Sequence, residues 1–155
     1  MIRNMMSNSN KGLGTTDVLP VDQSRIEVLN GTVDYKNVPL GSYDILGRFA
    51  SAGQRDYTEE LNLIQSMGFN AYRISISWAR IFPNGEELQP SEEGLKYYEA
   101  IIDDVLEKDI EPIVTLSHFD LPLNLYEKYG AWKSRKMIEL FERYAEAVFQ
   151  HFKDK

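Results

Sequence analysis

Phe69-Asn70-Ala71-Tyr72-Arg73-Ile74-Ser75-Ile76-Ser77-Trp78 alternates apolar and polar residues, with Tyr72, Ile74 and Ile76 on one face and Arg73, Ser75 and Ser77 on the other. That period of two is a strand pattern. Before it, Asp56-Tyr57-Thr58-Glu59 reads as a capping box, and Leu61, Ile64 and Met67 form the stripe of a helix ended by Gly68. After it, Ser91 with Glu92 and Glu93 starts a helix carrying Leu95, Tyr98, Ile102 and Val105. Residues 110–117 are rich in β-branched side chains and predict a second strand. A third helix begins at Ser134, with Met137, Phe141, Tyr144, Val148 and Phe152 as its stripe. The order helix, strand, helix, strand, helix predicts right-handed βαβ units on a parallel sheet, an α/β fold. Helix-to-strand links are short, at Gly68 and at Lys108-Asp109, whereas the strand-to-helix links over 79–90 and 119–133 are long. Long links on that side suit a (β/α)8 barrel, whose site lies at the carboxyl ends of the strands, and equally a doubly wound sheet.

Working outward, the chain divides near Gln54. Residues 1–54 read as an irregular N-terminal segment, and 55–155 as the βα units. Gly12, Gly14, Gly31, Gly41, Gly47 and Gly53 lie in the first part, six of the ten glycines. With 43% hydrophobic and 12% aromatic residues, the 155-residue chain can build a core. A formal charge of −7 argues against nucleic acid as a partner. The absence of cysteine excludes disulfides and thiolate chemistry. No run nears the ~18 apolar residues of a membrane span, and residues 1–10 are too polar for a signal peptide. A soluble, cytoplasmic protein without membrane contact is the expectation.

Four features invite chemistry. Arg73, in a strand expected to be covered on both faces, reads either as a structural ion pair or as a group in a polar cavity with Ser75 and Ser77. His118 closes the second strand within Thr115-Leu-Ser-His118-Phe119-Asp120-Leu-Pro122, where a barrel keeps its ligand-facing groups, and the alternative is a structural histidine. Trp78, Tyr129 and Trp132 read either as sugar-stacking rings or as packing anchors. Asp120 is the one carboxylate well placed for a site. Glu111 sits at the wrong end of its strand, and Glu86, Glu87, Glu92 and Glu93 read as solvated charges. One placed acid is not the carboxylate pair that glycoside hydrolysis uses. His118 and His151 are too isolated for a metal site, and Gly12-Leu13-Gly14 lacks the third glycine of a dinucleotide fingerprint. No metal or cofactor is expected.

The stretch Tyr72-Arg-Ile-Ser-Ile-Ser-Trp-Ala-Arg-Ile-Phe-Pro83 with Asn84-Gly85 resembles the second-strand signature of glycoside hydrolase family 1. Residues Thr115 to Pro122 resemble its third-strand signature, and Tyr129-Gly-Ala-Trp132 its tyrosine-glycine-glycine-tryptophan. Phe119, where many members carry Trp, and Lys11-Gly-Leu-Gly14 leading to Asp17-Val-Leu-Pro20 are similar to the bacterial 6-phospho-β-glucosidase branch. Three departures stand beside these matches. Residues 1–10 do not resemble the family's first strand with its sugar-binding Gln. Gln54-Arg-Asp-Tyr57 replaces the usual His-Arg-Tyr, and residues 44–53 read as a foreign stretch. That a frameshift produced this stretch is a hypothesis; failure to recover a family-like segment in another frame of the source gene would count against it.

The resemblance implies a partial (β/α)8 TIM barrel, about the second and third βα units plus the first helix, from a retaining β-glycosidase acting on 6-phospho-β-glucosides. His118 would hydrogen-bond a sugar hydroxyl and Arg73 would lie beneath the site, near the nucleophile, with Phe119 and Trp78 completing the substrate-binding set. The acid/base and nucleophile, both Glu, fall after the fourth and seventh strands, beyond Lys155, so no catalytic residue is assigned. The expectation is a fragment inactive alone, binding a phospho-sugar or β-glucoside with a complementing fragment, or self-associating. The alternatives are half of a split enzyme, an inactive remnant with weak sugar binding, and a plain β-glucosidase.

Overall fold

The computed structural model describes Gly12, Gly14, residues 57–118 and residues 120–155. Phe119, the Asp56 capping position and the atypical 44–53 stretch therefore lie outside the described residues.

Among the described residues five helices and two strands follow one another: α1 (Tyr57–Ser66), β1 (Ala71–Ser75), α2 (Trp78–Ile81), α3 (Glu92–Glu107), β2 (Glu111–Thr115), α4 (Leu123–Tyr129) and α5 (Lys136–Phe152), with a 3-10 turn over Ala131–Lys133. The strands pair in parallel, Ala71 opposite Glu111 through to Ser75 opposite Thr115. The expected βα order and parallel pairing are both present. Each strand is shorter than its sequence pattern, because the ladder ends where the chain turns into the next element. Ser77 starts α2 instead of prolonging β1: the Arg80 and Ile81 amides donate to its carbonyl at 3.0 and 3.4 Å. The long links predicted over 79–90 and 119–133 likewise contain α2, α4 and the 3-10 turn.

Period-two patterning places Ile74 and Ile76 inside and leaves Arg73 and Ser75 exposed. Arg73 is thus not enclosed on both faces, as a barrel strand would be. Two strands do not close a sheet on itself. Helix α3 is central, packing on α1, α2, β2 and α5. Its N-cap is the expected one, Ser91, whose hydroxyl accepts from the Gly94 amide at 3.1 Å. Gly94 itself is dictated by close approach: a Cβ there would stand 2.3 Å from the Arg80 carbonyl oxygen. Leu95, Tyr98, Ile102 and Val105 are buried as the stripe requires, and so are Met137, Tyr144 and Val148 of α5. Met67 is an exception, 63% exposed, since it follows the end of α1. Among the described residues no helix is long and apolar enough to cross a membrane.

Candidate functional site

The carboxyl ends of both strands are gathered by one buried hydroxyl. Tyr144 of α5 sits 2.8 Å from the Leu116 carbonyl and 3.2 Å from that of Ile76, residues that follow β2 and β1. Burial first, then the neighbouring Tyr98 and Asp120, pushes its phenol far above the usual range, so it stays a neutral donor. Tyr98 of α3 holds the chain just beyond β1, its hydroxyl accepting from the Ser77 amide at 2.8 Å.

Asp120 is the polar hub of this end. The Ser77 hydroxyl donates to its Oδ2 at 2.9 Å. Gly14 is packed on the same carboxylate so closely that a Cβ would come within 2.2 Å of Oδ1. Gly14 also forms an antiparallel bridge with Pro122, and the Gly12 amide donates to the Ala79 carbonyl at 2.8 Å. Gly12 and Gly14 thus meet the segments that follow the two strands, and glycine at position 14 leaves room for a carboxylate.

Of the residues singled out from sequence, His118 is exposed three positions beyond β2, and Arg73 is exposed on β1 opposite Ile113. Arg73 makes no ion pair among the described residues. Trp78 requires a correction. It is 1% exposed, stacked on Tyr144 with centroids 5.2 Å apart and 12° between planes, and edge-on to Phe141 at 5.5 Å. A ring held inside an aromatic core presents no face to a sugar, so Trp78 is a packing anchor. Trp132 lies 6.2 Å from it but remains 56% exposed.

Glu86 is the residue whose setting the sequence hid. Read as a solvated charge, it is instead held by Lys128 Nζ at 2.8 and 2.9 Å, the Tyr129 hydroxyl at 2.6 Å and Asn124 Nδ2 at 3.2 Å. Hydrogen bonds from Lys128 and then Tyr129 bring its carboxyl down from 4.5 to about 2. Arg143 of α5 donates to the carbonyls of Glu86 and Glu87 at 3.2 and 3.0 Å. The loop after β1 is therefore fastened to α4 and α5. No local sequence signal points to this, since Glu86 and its Lys128 and Tyr129 partners are 42 and 43 residues apart. Among the described residues no cluster of His, Asp and Glu suited to a metal is present.

A parallel strand pair with polar residues at its carboxyl ends, backed by helices, is the framework of a (β/α)8 site face. The sequence profile of glycosyl hydrolase family 1 matches residues 39–155, three quarters of the chain and including the atypical 44–53 stretch. The chain belongs to that family, and its fold is a piece of the family's barrel. It is 43% identical over 145 residues to the aryl-phospho-β-D-glucosidase BglH of Bacillus subtilis, an alignment covering 94% of this chain and 29% of that one. It is 37% identical over 143 residues to the 6-phospho-β-glucosidase AscB of Escherichia coli, covering 92% and 30%. A crystal structure of the rice β-glucosidase Os3BGlu6 superposes with a TM-score of 0.70 at 31% identity, over 95% of this chain and 27% of that one. The chain thus spans less than a third of the length of these relatives.

Proposed function

We propose that this chain supplies the second and third βα units of a 6-phospho-β-glucosidase, which hydrolyses the O-glycosidic bond of a phospho-β-glucoside with retention of configuration. The observation that carries this reading is kinship with BglH across 94% of the chain. In this reading His118, exposed beyond β2, hydrogen-bonds a hydroxyl of the sugar, with Phe119 beside it. Arg73 contributes positive charge beneath the site. Retaining hydrolysis needs two carboxyl groups about 5–5.5 Å apart. The family pattern puts both after later strands, so this chain's part is binding and orientation, with no proton transfer or nucleophilic attack of its own. Alone it is inactive; with a fragment carrying the later strands it turns over.

The test is hydrolysis of p-nitrophenyl 6-phospho-β-glucoside by the purified 155-residue chain, alone and after co-expression with the BglH portion that follows the aligned region. Turnover only in the pair, reduced about 100-fold or more by His118→Ala as expected for a lost polar contact to the transition state, supports the proposal. Robust turnover by the chain alone sinks it. Likeness to a rice β-glucosidase favours a second reading, a plain β-glucosidase. Faster turnover of the unphosphorylated glucoside would establish that reading. No turnover in either arm leaves an inactive remnant.

A further inference from the structure

We propose that Asn84–Gly85, in the loop after β1, is a self-modification site: an asparagine amide that cyclises onto the following glycine whenever the Glu87 carboxylate releases it. The reactants are the loop and water alone, whichever sugar the chain binds.

The chain holds two Asn-Gly pairs, Asn30–Gly31 and Asn84–Gly85, and the first lies outside the described residues. Asparagine before glycine is prone to this chemistry because no Cβ on the second residue hinders the approach of its nitrogen to the side chain. The Gly85 amide gives its proton to solvent base, and its nitrogen attacks the side-chain carbonyl carbon of Asn84. As the new N–C bond forms, the bond from that carbon to Nδ2 breaks and the nitrogen leaves as ammonia. Water then opens the succinimide ring at either carbonyl, giving aspartate or isoaspartate. Water enters, ammonia departs, and nothing is oxidised or reduced.

In the closed loop the reacting groups are held. The Gly85 amide donates to the Phe82 carbonyl at 3.0 Å, so the proton that must leave is engaged. Asn84 Nδ2, the leaving group, donates to Glu87 Oε1 at 2.9 Å, and the same oxygen accepts from the Asn84 amide at 2.7 Å. The second oxygen of Glu87 is enclosed, so the carboxylate is packed in place. Gly85 is buried with a φ of 81°, and a Cβ there would stand 2.4 Å from Leu125 Cδ1. Bringing its nitrogen onto the Asn84 side chain therefore requires the loop to lift from α4. Asn84 itself is exposed, so water reaches its amide as soon as the loop opens.

The product differs from its parent where the loop is fastened. A carboxylate at position 84 no longer donates to Glu87 and repels it. In isoaspartate the main chain runs through the side-chain carbon, which displaces the Asn84 carbonyl that Asn124 Nδ2 reaches at 3.0 Å. A single opening is thus recorded covalently, and the loop is left less firmly tied to α4.

Mass mapping of the full 155-residue chain, held at mildly alkaline pH, tests this without requiring activity. Trypsin cuts after Arg25, Lys36, Arg80 and Lys96, so the two Asn-Gly pairs fall in separate peptides. Conversion of Asn84 in the folded chain is expected to be at least about tenfold slower than in a free peptide of residues 81–96, the scale of a hydrogen bond to a charged group. Glu87→Ala, with circular dichroism unchanged, should remove most of that difference. Should it fail to fold, Glu87→Asp, which draws the carboxylate back, serves in its place. Asn84→Asp, made directly, should raise amide exchange over residues 84–88 about tenfold and leave α3 and α5 within about twofold, as a local opening does. The proposal is overturned if the folded chain converts as fast as the peptide, or if the folded Glu87 variant converts no faster than the parent. It is equally overturned if Asn84→Asp leaves exchange over residues 84–88 unchanged. None of these readings involves a sugar, so failure here is distinct from failure of the proposed function.

Discussion

Ala131 carries a φ of 55°, in the left-handed range that a Cβ opposes, immediately after Gly130 at 67°. The alanine stands where the related motif has a second glycine, so the departure from tyrosine-glycine-glycine-tryptophan has a backbone meaning. Left-handed geometry costs a non-glycine residue ~1–2 kcal/mol, while glycine loses ~0.5–1 kcal/mol more entropy on ordering. The first exceeds the second, so Ala131→Gly is expected to stabilise the chain by about 0.5–1 kcal/mol, read as a shift in urea midpoint at unchanged slope. An equal or lower midpoint would contradict that balance. The sequence shows the alanine within an otherwise matching motif but not the strain, because φ is a property of the turn into which α4 delivers the chain. That Arg73 falls on β1 follows from strand alternation, whereas its exposure and the position of His118 three residues beyond β2 do not. Trp78 was half legible. Its pattern put it at a strand's end, and only packing against Tyr144 and Phe141 shows which way the ring turns.

At the level of elements, the fastening of the loop after β1 to α4 is electrostatic and so depends on pH. The Glu86 carboxyl is depressed from 4.5 to about 2 by Lys128 and Tyr129. A group whose folded value is lowered contributes stability that is fully present above its unfolded value and disappears as pH falls through the folded value. The window is therefore from about 4.5 down to about 2. Glu86→Gln is expected to lower the Tm at neutral pH by about 2–4 °C, modest because Glu86 and Lys128 are partly exposed. The gap between variant and parent should close as pH approaches 2. A gap that is constant between pH 7 and 3 would show that the tie is not ionic. Elements with ten or more residues, α1, α3 and α5, were legible from their stripes. Helices α2 and α4, of four and seven residues, were not, since so few turns leave no measurable period.

For the whole molecule, the decisive fact is that among the described residues the sheet has two strands, β1 beside β2, with no further strand on either edge. On β2, Ile113 is 51% exposed and Val114 38% exposed, and on the helical side Leu63 and Phe149 are about 60% exposed. Unpaired strand edges flanked by apolar side chains favour pairing with another chain. Sedimentation of the purified chain is expected to show concentration-dependent oligomers, and Ile113→Lys, which places a charge at an exposed apolar position of β2, should shift them toward monomer. A monomer at all concentrations would refute this. The global fold was readable from helix–strand order, whereas the sheet's extent, two strands among the described residues against the eight of a barrel, is a count that only the structure supplies.

The Tyr144 hydroxyl joins carbonyls 68 and 28 residues earlier in the chain. During synthesis both strands therefore emerge long before the residue that locks their ends together. Until α5 is made, the nascent strands can pair without that lock, and any slip in register goes uncorrected. Vectorial folding of this chain is thus closed from behind: α5 acts as the final inspection of how β1 and β2 were joined.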